Sequence, residues 1–211
     1  MKEPLPKHYG LERLILLSDG VFAISMTLLA LELRAPENWD GTVGGLIGRM
    51  HGALVAHAIS FMVVAVYWMS HRRTFRSIRK TDGPLTLLSL FALGLITLLP
   101  AMTRLLIEHP EGRDALLLYL GLIAAMGVAS ALVWGYAAVR PGLMDPAESR
   151  RYRVVHFIML AAVPVATTSL VILGASGAGV WPWILVAAIF PLIATVRRWA
   201  MKPARPAVQK A

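Results

Sequence analysis

Long apolar stretches separated by short polar breaks dominate the chain. The first runs from Leu14 to Leu33 and ends before Pro36. The second covers Ala53 to Met69 and is free to continue through the basic residues after it. Thr81-Asp82-Gly83-Pro84 then interrupts the pattern. A third stretch, Leu85 to Ile107, contains Pro100, which removes a backbone donor and is expected to kink it. The fourth spans Ala115 to Val139 and stops at Pro141-Gly142, and the fifth spans Val154 to Leu173. The sixth runs from Val180 to Val196, with Pro182 in its first turn and Pro191 inside. Each block is close to the roughly 17–25 residues a helix needs to cross a bilayer core. A helix also satisfies its own backbone hydrogen bonds, as lipid demands. No segment alternates as a strand would. The pattern predicts an all-α membrane protein of six transmembrane helices, with a transmembrane domain over 1–198 and a polar, disordered tail over 199–211.

Composition agrees with this reading. The chain is 57% hydrophobic and 16% charged, too few charges to cover a soluble domain of 211 residues. The net charge of +9 would suit nucleic acid, but the basic residues flank the apolar blocks, so they report topology instead. No nucleic-acid partner is expected, and the apolar surface calls for a lipid bilayer. With the ends and even-numbered loops on one side, 17 of the 21 lysines and arginines fall there, leaving Arg34, Arg49, Arg104 and Arg113 opposite. That asymmetry puts both termini in the cytoplasm and the chain in the cell inner membrane as a multi-pass protein. Met1 to Gly10 is polar, so no removable signal peptide is expected and the first helix acts as its own insertion signal. The absence of cysteine excludes disulfides, thiolate nucleophiles and cysteine metal sites.

The first helix carries the unusual chemistry. Ser18, Asp19 and Gly20 form a small polar cluster inside an apolar run. A carboxylate within a span costs on the order of 2.5–3.5 kcal/mol on insertion scales and usually faces protein or water. Asp19 lies soon after Arg13, near the cytoplasmic boundary, where water offsets part of that cost. Ile24, Leu28 and Leu31 then share one helix face, with Thr27 beside them. On spacing alone this stripe is a lipid-facing or packing surface.

Arg13, Ser18-Asp19, Gly20-Val21-Phe22-Ala23-Ile24 and Thr27-Leu28-Leu29 with Leu31-Glu32-Leu33 together match a longer pattern. In it the sequence resembles the transmembrane protein 175 family of potassium channels. Leu17 stands where the family usually has phenylalanine. The resemblance implies a homotetramer of six-helix subunits, with the first helix of each lining a central pore. It implies that Ile24 forms the narrowest apolar ring, that Leu28 and Leu31 continue the constriction outward, and that Thr27 adds a hydroxyl layer. A narrow apolar bore closes by dewetting, without a carbonyl filter. The permeant species would be the potassium ion, and no cofactor is implied. Trp68 and His71, one turn apart at the cytoplasmic end of the second helix, also resemble the family. The resemblance puts Arg13, Ser18, Asp19, Trp68 and His71 in a polar network between the first and second helices. By themselves, Trp68 reads as an aromatic-belt residue and His71 as an interfacial histidine.

Other motifs carry less. Thr42-Val43-Gly44-Gly45 resembles the filter of ordinary potassium channels, but it lacks the tyrosine and a preceding pore helix. Gly44, Gly48 and Gly52 instead recur as a small-residue face suited to close packing, and a flexible loop over 41–45 is the other reading. His57 is expected to be a hydrogen-bonded packing residue. The histidines show no metal-site spacing, so no metal site is expected. The basic run from Arg72 to Lys80 serves topology or anionic lipid. No nucleophile elbow or phosphate loop is present, so an enzyme is not expected. The alternative to a channel is a proton-coupled secondary transporter in which Asp19 and His71 titrate, although no internal repeat supports it.

Overall fold

The computed structural model describes residues 9–36 and 39–175. The predicted sixth span and the tail lie outside the described residues. Six helices are described: α1 (Tyr9–Leu31), α2 (Val43–Arg76), α3 (Gly83–Thr97), α4 (Leu99–Glu108), α5 (Arg113–Val139) and α6 (Arg150–Ala175). Helices α3 and α4 together make one crossing, so five spans long and apolar enough to cross a membrane are present among the described residues. No strand occurs among them; a single β-bridge joins Ile78 to Met144.

The largest departures from the sequence pattern are in the second and third spans. Helix α2 begins at Val43, ten residues before the apolar run from Ala53, and runs through the arginines to Arg76. Local capping explains the early start. Asp40 Oδ1 accepts from both the backbone and the hydroxyl of Thr42, each at 2.9 Å, and Thr42 Oγ1 accepts from Gly45 N at 3.0 Å. Thr42 is the N-cap, which satisfies a donor with no partner inside the helix. A Cβ at Gly45 would collide with the Asp40 carboxylate. The Thr-Val-Gly-Gly run is therefore a helix start, neither a filter nor a loop.

The third span breaks at Leu98 rather than bending smoothly. The Leu98 N–H turns back to Leu95 O at 3.2 Å, and Pro100 sits in the first turn of α4, where a missing N–H costs least. At the head of α3, Asp82 caps Leu85 N at 2.9 Å, and its other oxygen accepts from Tyr136 OH at 2.8 Å, tying α3 to α5.

The core lies in two layers along the bundle. One surrounds Trp134 with Leu11, Leu14, Phe75 and Leu85; the other joins Phe22, Leu29, Val64, Leu93, Leu99 and Met126. Most polar groups inside are paired, because lipid and protein interior offer no water to replace a missing partner; Ser25 Oγ and His71 Nε2 are exceptions. Ser60 bonds Tyr119 OH at 2.9 Å and accepts from Thr103 Oγ1 at 2.8 Å, linking α2, α4 and α5. Helices α5 and α6 pack tightly at Gly127, where a Cβ would lie 2.6 Å from the Pro164 ring.

Candidate ion-conduction site on the first helix

Helix α1 rises about 34 Å over 23 residues, enough to span the hydrocarbon core. Its two faces differ in a way hydropathy alone hides. Leu11, Leu14, Ser18, Phe22, Ser25 and Leu29 are buried against the other helices. Ile24, Leu28 and Leu31 point away from the subunit, 59%, 39% and 70% exposed. The polar serines therefore face the protein and the apolar ridge faces outward, the reverse of a soluble amphipathic helix. The ridge extends about 10 Å along the axis from Ile24 to Leu31. Thr27 is exposed between its members, and its hydroxyl donates to Ile24 O at 2.8 Å. With the proton committed to its own helix, the hydroxyl oxygen keeps its lone pairs as acceptors.

Near mid-length of α1, Asp19 is half-buried, and its Oδ1 accepts from Trp68 Nε1 at 2.8 Å. This indole bond joins α1 to α2. Ser18 is fully buried beside it and donates to Leu14 O at 2.7 Å, inside its own helix. The His71 ring lies between Phe22 and Phe75, with centroids 5.5 and 4.3 Å away, and its buried Nε2 has no hydrogen-bond partner. Arg13 is exposed and turned toward Tyr9, whose hydroxyl it meets at 3.4 Å. Of the residues the motif groups together, the subunit thus joins Asp19 directly to Trp68 and packs His71 nearby, while Arg13 and Ser18 bond elsewhere.

Sequence reasoning missed two contacts that hold this region. The Arg72 guanidinium lies over the Trp68 ring, 4.8 Å from its centroid, a pairing the four-residue spacing allows. His57 Nδ1 lies 3.1 Å from Leu29 O, fastening the far end of α1 to α2; nothing in the sequence pairs these two. Near that end Glu32 lies 3.9 Å from Arg104, which also binds Glu108 at 2.8 Å. Among the described residues, no group of three metal-binding side chains occurs.

The arrangement has relatives. Residues 13–100, covering α1 through the start of α4, match the family described as the endosomal/lysosomal potassium channel TMEM175. A potassium channel of Chamaesiphon minutus is 32% identical over 151 residues, 69% of this chain and 74% of that protein. The chain belongs to the TMEM175 family. A Streptomyces collinus potassium channel is 33% identical over 136 residues, 61% of this chain and 65% of its own length. The human endosomal/lysosomal proton channel TMEM175 is 30% identical over 144 residues, and the match spans only 28% of its length. Among solved structures, the crystal structure of a lysosomal potassium-selective channel TMEM175 homolog from Chamaesiphon minutus aligns with a TM-score of 0.71 at 26% identity, covering 92% of this chain and all of that one. The fold is thus the all-helical TMEM175 channel fold in a multi-pass membrane protein, and the relatives are ion channels, not enzymes.

Proposed function

We propose that this TMEM175-family chain is a potassium-permeable cation channel of the cell inner membrane. Its working form is a homotetramer of six-span subunits with both termini in the cytoplasm, and α1 of each subunit lines the central pore. The domain over 1–198 then forms the channel, and 199–211 is its cytoplasmic tail. Ile24, Leu28 and Leu31 supply the apolar constriction, and Thr27 the adjacent hydroxyl layer. The single observation that carries this reading is the facing of α1: the family motif lies on a helix whose serines turn inward and whose apolar ridge is left uncovered by the other described helices. Four such ridges around an axis make a bore that empties of water when narrow and conducts when it widens. Asp19 and Trp68, with His71 beside them, fix α1 against α2 so that the ridge keeps its direction.

A proton-coupled carrier using Asp19 and His71 has less support. Asp19 is engaged by an indole donor, and His71 is flanked by phenylalanines. The test is recording from the purified chain in planar bilayers under opposed potassium and sodium gradients. Ile24→Asn wets the constriction and raises the current, which should reverse near the potassium equilibrium potential. A silent Ile24→Asn protein in its native oligomeric state would overturn the channel reading. Flux tied strictly to a proton gradient would favour the carrier.

A further inference from the structure

The basic end of α2 does more than mark topology. Its 34 residues rise about 51 Å, well beyond the roughly 30 Å hydrocarbon core, and the arginines of its last turns place that end at the headgroup layer, because charge is costly any deeper. Trp68, Arg72 and Arg76 recur at four-residue spacing on that end and so share one face. The Arg72 guanidinium lies over the indole, a contact made by the face of the planar group. Its N–H edge stays open, and that edge is what binds phosphate oxygens. Arg76 is exposed one turn further along. No ion pair engages Arg72 or Arg76 among the described residues. Two open guanidinium groups, one of them stacked on an indole, fit an anionic phospholipid. Their long side chains carry the charge outward from the helix to the phosphate.

We infer that Trp68, Arg72 and Arg76 form a binding site for the headgroup of an anionic phospholipid, which holds the indole that α1 uses to anchor Asp19. The headgroup restrains Arg72, Arg72 restrains the Trp68 ring, and the ring donates to Asp19 Oδ1 at 2.8 Å. Lipid charge is thereby linked to the seating of α1. Binding does not depend on conduction, so the two readings fail separately: a chain that retains the lipid yet carries no current defeats the channel proposal alone.

The experiment is native mass spectrometry of the full chain in detergent, titrated with phosphatidylglycerol, phosphatidylcholine or inorganic phosphate. Melting temperature is measured on the same samples. Wild type should retain phosphatidylglycerol in preference to phosphatidylcholine, and its melting temperature should rise with the anionic lipid. Arg76→Gln should weaken retention about fivefold, and Arg72→Gln with Arg76→Gln about 25-fold. Arg140→Gln, which removes a charge from the α5–α6 connection, should stay within about twofold. Arg76→Gln breaks no recorded contact, so it carries the test even where Arg72→Gln impairs folding. Equal retention of the two lipids overturns the site, as does a double variant that binds like wild type. Retention of inorganic phosphate as tight as that of the lipid overturns the assignment to a membrane headgroup.

Discussion

Replacing Trp68 with phenylalanine removes one hydrogen bond and part of the ring system, and a double-mutant cycle separates the two effects. The indole N–H reaches Asp19 Oδ1 at 2.8 Å, and among the described residues this is the only side-chain hydrogen bond from the Ser18-Asp19-Gly20 cluster to another helix. A hydrogen bond to a charged group is worth about 1.5–3 kcal/mol in proteins generally. Pair couplings inside membrane proteins run lower, to a maximum near 1.7 kcal/mol. Asp19 is half-buried, so its carboxylate recovers some solvation when the indole is lost, and the coupling should fall at about 1–1.5 kcal/mol. That corresponds to about a 5- to 13-fold change in the population that keeps α1 seated. The assay is a double-mutant cycle of Trp68→Phe and Asp19→Ala, which removes the acceptor outright, read by reversible unfolding in sodium dodecyl sulfate with dodecyl maltoside. Each single variant should destabilise the chain, and the double variant should cost clearly less than the sum. Independent sites add to within about 0.3–0.5 kcal/mol. A coupling inside that margin would refute the claim that this bond fixes α1 against α2.

Further outcomes follow from other contacts. Ser60→Ala removes the group shared by Thr103 and Tyr119 and should cost about 1–2 kcal/mol in the same unfolding assay, more than Tyr119→Phe, which leaves Ser60 and Thr103 paired. Gly127→Ala forces a methyl against the Pro164 ring and should lower the melting temperature, whereas Gly94→Ala, with open space at its Cβ, should leave it equal or higher. Asp145 is held below the usual carboxylate range by the Ala147 N–H and then by Arg79. A lowered carboxyl stabilises the fold above its unfolded pKa and loses that contribution as pH falls through its folded value. The protection factor of the Asp145 amide, whose N–H is bound to Ser77 O, should therefore fall at strongly acid pH, and that fall should vanish in Asp145→Asn. His57→Ala should raise amide exchange in the last turn of α1, and exchange rates equal to wild type would show that its bond to Leu29 O holds nothing.

The spans were legible because lipid leaves few alternatives: about 20 apolar residues without strand alternation must become a helix. The motif around Asp19 was legible because a carboxylate inside such a run is costly and therefore conspicuous. Facing was not legible. Along α1 nearly every position is apolar or small, so Ser25 and Ile24 differ by one place in sequence and by opposite surroundings in the structure. Only the packing of α2, α3 and α4 against α1 decided which ridge was left uncovered. Boundaries set by hydrogen bonds rather than hydropathy were equally hidden. The polar Asp40-Thr42-Gly45 cap starts α2 inside an apparent loop, and the turn at Leu98 ends α3 before the proline that signals the break. Pairings across elements, such as Trp68 with Asp19 and His57 with Leu29, join residues 49 and 28 positions apart. The sequence by itself determined that the chain must cross a membrane as helices and that its first helix carries an unusual polar group. Tertiary structure decided which partner satisfies that group and which way the apolar ridge points, because both depend on contacts that local periodicity does not encode.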